Sequence, residues 1–145
     1  MFNERLILIL TMLSILRGLQ GKTHNQNAYE AAIRNIKSYN KEIQTIDEAS
    51  NINGVGSTIL SHIRNILYNQ DPNTTGIYEL DKSPLLEKLY VMSELMKVHG
   101  IGEKRASALY DQGIRSISDI PGATPVNQER VPSYIIDQLN SLLEN

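Results

Sequence analysis

Two short stretches, Ile52-Asn-Gly54-Val-Gly56 and Val98-His-Gly100-Ile-Gly102, both read apolar-x-Gly-apolar-Gly, and they stand 46 residues apart. Each follows one run of helical apolar spacing and opens another. Two glycines around an apolar residue let the chain reverse tightly while that residue anchors in a core. Beyond the second glycine, the first amides of the next helix have no carbonyl in their own ladder, and the positive end of the helix dipole lies there too. Those donors form a seat for a phosphate oxygen. One Gly-x-Gly turn is weak evidence. Two in the same context, with Ala106 four residues past Gly102 for close helix approach, point to phosphate-gripping hairpins.

The rest of the chain reads helical, and no stretch alternates long enough for a strand. Leu6, Ile9, Leu10, Leu13 and Leu16 form the stripe of a buried first helix. That apolar run is too short to span a membrane, and no small-residue cleavage site follows it. A second helix is expected over residues 28–39, capped by Asn27, with Ile33 and Ile36 inward. A short turn or helix at residues 47–50 leads into the first hairpin, and a helix over residues 57–68 leaves it. Residues 69–76 contain only turn formers and mark the best boundary. Helices over residues 85–96 and 103–110 flank the second hairpin, Gly113 closes the latter, and residues 114–120 form a short turn-helix. Pro121, Gly122, Pro125 and Pro132 make a stiff linker, and residues 133–143 form a last amphipathic helix on Tyr134, Ile135, Leu139 and Leu142. The expected fold is all-α with tandem helix-hairpin-helix domains: residues 1–68, a linker at 69–76, a second domain at 77–120, and a linker with a terminal helix at 121–145.

With 14 basic against 16 acidic residues, the 145-residue chain carries a net charge of −2. That excludes a protein that coats nucleic acid by bulk positive charge. It is compatible with backbone amides gripping a few phosphates. The absence of Cys excludes a disulfide framework, a thiolate zinc site and a cysteine nucleophile. His24, His62 and His99 lack partners at metal-ligand spacing.

The order of motifs carries a specific resemblance. Asn27-Ala-Tyr29, the span from Ile43 ending in Glu48-Ala49, Gly54-Val-Gly56, Gly100-Ile-Gly102 and Gly113-Ile-Arg-Ser-Ile-Ser-Asp-Ile120 occur as they do in family X DNA polymerases. The chain resembles the amino-terminal part of a polymerase-beta-like enzyme, a lyase-type domain followed by a small DNA-gripping domain, over about Leu6 to Ile120. The resemblance implies that the first hairpin binds the strand downstream of a gap and the second the upstream primer side. It further implies a monovalent cation, Na+ or K+, at each hairpin when DNA is bound. The carbonyls of Ser50, Ile52 and Val55, and of Met96, Val98 and Ile101, match the family's cation ligands. His24 and Tyr29 fall on positions lining the downstream end of a gap, although Tyr29 reads equally well as a core aromatic.

The departures are chemical. A lyase needs a primary amine to form its imine, and His62 occupies the family's lysine position. Thr58, one turn earlier on the same face, replaces a second lysine, and Asn25 replaces the phosphate-binding lysine beside His24. Lyase activity is therefore not expected, and His62 reads most simply as a partly buried histidine. The stretch that follows Ile120 is too short for a polymerase palm with its metal-holding carboxylates.

The preferred reading is a non-catalytic DNA-binding module for gapped, nicked or junction DNA in repair or replication. Its contacts are Gly54, Val55, Gly56 and Thr58, with Gly100, Ile101, Gly102, Lys104 and Arg105; Arg64 and Lys41 are weaker candidates, and Lys104 and Arg105 read equally well as a solvated helix face. Two other readings stand: a 5′-deoxyribose-phosphate lyase or fragment of a whole polymerase, and a protein–protein adaptor, a repair or replication protein being its partner. An intracellular location, the nucleus or a viral host compartment, follows from the missing signal-peptide features.

Overall fold

The computed structural model describes residues 2–120. The linker prolines and the last expected helix, with Tyr134, Ile135, Leu139 and Leu142, lie outside the described residues. Every regular element among the described residues is helical: α1 (Glu4–Leu19), α2 (Thr23–Lys37), α3 (Ile46–Ser50), α4 (Ser57–Tyr68), α5 (Tyr78–Asp81), α6 (Leu86–Leu95), α7 (Glu103–Asp111) and a 3₁₀ turn (Ile117–Asp119). None of these helices is long and apolar enough to cross a membrane. The chain divides into two compact units, the first spanning Met1–Leu86 and the second beginning at Glu87.

The first unit is built around α1. Leu6, Ile7, Ile9, Leu10, Met12, Leu13, Ile15 and Leu16 are all buried, so the helix is covered on nearly every side by α2, α4 and neighbouring chain. Asn3, just before it, straps residues 41–43 to the helix start. Its side-chain amide donates to the Lys41 carbonyl at 3.0 Å, and its Oδ1 accepts from the Ile43 amide at 2.8 Å.

Helix α2 starts at Thr23, ahead of the expected start, so Asn27 lies inside the helix and no side chain caps it. Thr23 to Asn25 are exposed polar residues, so nothing apolar marks that first turn; the Gln26 amide already bonds to the Lys22 carbonyl at 2.9 Å. The stripe of α2 is Tyr29, Ala32, Ile33 and Ile36. Helix α3 is only five residues long and relies on Thr45, whose hydroxyl caps the Glu48 amide at 3.1 Å.

Residues 69–76 fold onto the first unit through their own polar side chains. Asn69 Nδ2 donates to the carbonyls of Asp71 and Thr74, and Arg5 reaches the Thr74 carbonyl from α1. Asp81 Oδ1 accepts from both the amide and the hydroxyl of Thr75. These bonds seat α5, whose anchors Ile77 and Leu80 are buried.

In the second unit, Leu89, Val91, Met92 and Leu95 of α6 share a core with Val98, Ile101, Ala106, Leu109, Ile114 and Ile120. Gly113, at φ +98°, closes α7, and the Ile114 amide then bonds back to the Leu109 carbonyl at 3.0 Å. Ser116 and Asp119 form a reciprocal capping box on the 3₁₀ turn.

Candidate nucleic-acid interface

The two hairpins have matching backbones. Gly54 and Gly100 lie at φ +90° and +94°, in the left-handed region that admits glycine cheaply. In each turn the apolar residue bonds back to the residue three before it: Val55 N to Ile52 O and Ile101 N to Val98 O, both 3.1 Å. Gly56 and Gly102 then cap α4 and α7 with φ/ψ of −87°/−173° and −93°/−171°. The first amide in each helix to find a carbonyl is Leu60 N, on Gly56 O at 2.8 Å, or Ala106 N, on Gly102 O at 2.9 Å.

The two glycines of each hairpin have different jobs. Gly54 and Gly100 are required by their torsions. Gly56 and Gly102 sit in extended backbone open to any residue, and a Cβ on either would meet nothing within 4 Å. The turn-forming role expected of both glycines therefore belongs to the first of each pair. What the second contributes is bare space in front of the helix amides.

Each hairpin is braced by a side chain on one of its carbonyls. Asn35 of α2 donates to Asn53 O at 2.6 Å, and Gly54 lies against the backbone of Ala31 and Ala32. Arg105 of α7 donates to Gly100 O at 2.7 Å. Arg105 is thus folded back on its own hairpin and holds its positive charge beside the turn. Lys104 is exposed beside it. Tyr39 donates to Glu48 Oε2 at 2.7 Å and ties α3 to the end of α2. That bond pulls the Glu48 carboxyl below its usual range, and the Gln44 amide adds to the effect. The bracing roles of Asn35, Tyr39 and Glu48 escape a reading of the sequence, because each acts across a turn with no local signature.

Thr58 and His24 are exposed, on the first turns of α4 and α2. Arg64 is exposed, and Lys41 lies 3.6 Å from Glu48. Tyr29 is only 4% exposed and belongs to the core. Its ring lies 6.0 Å from that of half-buried His62, tilted by 33°, and the Arg17 guanidinium lies 5.9 Å from its centre. Arg17 grips Glu79 through both carboxylate oxygens, at 2.8 and 2.9 Å. Burial, reinforced by Arg17, pushes the His62 imidazole below its usual value, with Glu79 opposing. Burial likewise pushes the Tyr29 phenol up. At neutral pH both rings are uncharged, so the only full charges in this cluster are the Arg17–Glu79 pair.

Among the described residues no three His, Asp or Glu side chains are placed to hold a metal ion. The carbonyl sets of Ser50, Ile52 and Val55, and of Met96, Val98 and Ile101, are hard oxygen donors on two equivalent turns. The Ile52 and Val98 oxygens each accept one amide and keep a second lone pair. Their chemistry fits a monovalent cation.

Comparison with known proteins agrees with this layout. A family described as "Helix-hairpin-helix domain" matches residues 1–71, and one described as "Fingers domain of DNA polymerase lambda" matches residues 93–125. The chain is 28% identical to DNA polymerase lambda of Arabidopsis thaliana over 147 aligned residues, covering 92% of this chain and 26% of that protein. It is 26% identical to DNA polymerase lambda of Rattus norvegicus over 129 residues, covering 89% of this chain and 21% of that protein. The chain thus spans about a quarter of the length of these relatives.

Proposed function

We propose, for a chain that resembles the amino-terminal lyase-type and helix-hairpin-helix region of the family X DNA polymerases, the function of a DNA-binding module that grips phosphates through two hairpins. The observation that supports it best is the pair Gly56 and Gly102. The fold does not need glycine at either place, yet each leaves the start of a helix uncovered. Backbone donors at such a site reconcile phosphate binding with the net charge of −2.

Two hairpins, one in each unit, suit a discontinuous substrate with one strand end at each, so gapped or nicked DNA is the proposed ligand. Contacts would come from Gly54, Val55, Gly56 and Thr58 at the first hairpin, with His24 at the downstream end. Gly100, Ile101, Gly102, Lys104 and Arg105 serve the second. Na+ or K+ on the hairpin carbonyls would supply a positive charge facing the phosphate. Work on DNA in repair or replication, inside a cell and in the nucleus or a viral host compartment, follows from this reading. The module is proposed as non-catalytic, because an imidazole at residue 62 cannot form an imine.

The test is fluorescence anisotropy with gapped, nicked and continuous duplexes of one sequence. The gapped or nicked duplex should bind tightest. Equal affinity for all three would remove the discontinuity from the proposal, and failure to bind any would favour the protein–protein adaptor.

A further inference from the structure

The dipeptide Asn53-Gly54 occurs once in the chain, and it lies in the turn of the first hairpin. At the matching place of the second hairpin stands His99-Gly100, so the carboxamide marks one hairpin and not the other. Asn53 and Gly54 are both exposed. Among the described residues, nothing accepts from the Gly54 amide and nothing bonds to the Asn53 carboxamide. Glycine brings no side chain to shield its own nitrogen. A peptide nitrogen and the electrophilic Cγ of the residue before it are therefore both uncommitted, and Asn ranks among the thermolabile residues.

One hydrogen bond bears on the acidity of that nitrogen. Asn35 Nδ2 donates to the Asn53 carbonyl oxygen at 2.6 Å. When the Gly54 amide loses its proton, the negative charge is shared between its nitrogen and that same oxygen. A hydrogen bond to an ionised acceptor is roughly twice as strong as a neutral one, so Asn35 favours the deprotonated amide.

We propose that the first hairpin carries a self-modifying site: Asn53 deamidates through Gly54, Asn35 activates the nucleophile, and the resulting carboxylate weakens this hairpin's hold on DNA. The Gly54 nitrogen gives its proton to solvent base and attacks Asn53 Cγ. The N–Cγ bond forms, the Cγ–Nδ2 bond breaks, and Nδ2 takes a proton from water and leaves as ammonia. Water then opens the cyclic imide. Attack at Cγ breaks the new bond and gives aspartate. Attack at the main-chain carbonyl breaks the original peptide bond and gives isoaspartate, with the chain running through Cγ. One water enters and one ammonia leaves, and nothing is oxidised or reduced. Either product sets a negative charge where the second hairpin has a histidine. Isoaspartate also adds one carbon to the backbone of a turn closed by Val55 N on Ile52 O at 3.1 Å. The effect on DNA rests on the function proposed above; the deamidation itself does not.

The experiment has two arms. In the first, the wild-type chain, Asn53→Gln and Asn35→Ala are incubated at neutral pH in heavy-oxygen water, and each Asn is followed by peptide mass spectrometry. The wild type should take up label at residue 53 before any other Asn, and Asn53→Gln should take up none there. Asn35→Ala, shown folded by circular dichroism, should convert several-fold more slowly. If it melts early, Asn35→Asp, of the same shape but without the donor, takes its place. In the second arm, anisotropy with a gapped duplex compares fresh wild type, aged wild type and Asn53→Asp. The Asp variant should bind about two- to fivefold more weakly than the fresh chain, the scale of one exposed charge, and the isoaspartyl fraction more weakly still. Conversion at residue 53 in the urea-unfolded chain but not in the folded one would overturn the proposal. Equal or faster conversion in the folded Asn35 variant would overturn the activation by Asn35. Undiminished binding by both the aged chain and Asn53→Asp would overturn the effect on DNA. If no form binds DNA, the DNA-binding reading falls while the uptake of label still decides the modification.

Discussion

Gly56 and Gly102 share one backbone conformation, with φ/ψ of −87°/−173° and −93°/−171°, and a Cβ on either would point into open space. Substitution at these positions therefore separates binding from folding. Gly56→Val and Gly102→Val should stay folded and lose only about 1 kcal/mol, the scale of exchanging a favourable N-cap for a poor one. Both should lose DNA affinity, because the added branches cover the helix amides. Gly102→Val should lose more, since Lys104 and Arg105 follow it, whereas Ser57, Thr58 and Ile59 follow Gly56 without charge. A charge-assisted contact is worth roughly 1.5–3 kcal/mol against about 1 for a neutral one. Abolished binding in Gly56→Val with a silent Gly102→Val would reverse the ranking of the two hairpins.

The first glycine of each pair should behave in the opposite way. At φ +90° and +94°, Gly54→Ala and Gly100→Ala force an L-residue into the left-handed region at about 1–2 kcal/mol. For units of this size, 1 kcal/mol lowers the melting temperature by about 4–8 °C. At Gly54 the added Cβ would meet Asn35 Nδ2 and the Ala31–Ala32 backbone at 3.4–3.6 Å, ordinary contact distances, so the torsion alone should set the cost there too. Unchanged melting in both variants would contradict the turn geometry.

Borohydride trapping on incised abasic DNA should give no covalent adduct. His62→Lys alone should restore little, because Thr58 and Asn25 still leave the pocket without its other cations and Arg17 already lies close by. Efficient trapping by the unmodified chain would make it a lyase that uses another amine.

Few side-chain cations release few counterions. The slope of log affinity against log salt should be shallow, about −2 to −4 at −0.9 per phosphate. A slope near −8 would reveal a basic face distinct from the hairpins.

His62 sets a pH dependence of stability. Burial, and then Arg17, lower its pKa in the folded state, so the unfolded chain binds the proton more readily. Its contribution is complete above the unfolded value of about 6.5 and is lost as pH falls from there through the folded pKa. The melting temperature should fall through this window, and His62→Gln should fall less steeply. An identical slope in the variant would assign the effect elsewhere.

The elements legible from sequence are those with a periodic or punctuated signal. The α1 stripe, the two hairpins, the end of α7 at Gly113 and the turn after it all follow from apolar spacing and glycine placement. The first turn of α2 is invisible, because Thr23, His24 and Asn25 are polar residues on an exposed face. Residues 69–76 announce turns, but nothing local says that Asn69, Thr75 and Asp81 wrap those turns onto a folded unit. Arg17 and Glu79 stand far apart in the sequence, on α1 and α5, so only the folded chain brings the pair together. Tyr29 and His62 draw notice in the sequence for opposite reasons, and the structure places them against each other.

The burial of α1 on nearly every side has a consequence for synthesis. Its partners, α2 and α4, lie downstream, so the helix leaves the ribosome with its apolar surface uncovered. About fifty further residues must follow before Ile63 and Ile66 of α4 can close over it, a delay of roughly 3–10 s at ordinary translation rates. During that interval the nascent chain exposes a continuous greasy segment from Leu6 to Leu16. Its yield in a heterologous host should depend on chaperone supply and growth temperature far more than the stability of the finished protein would suggest.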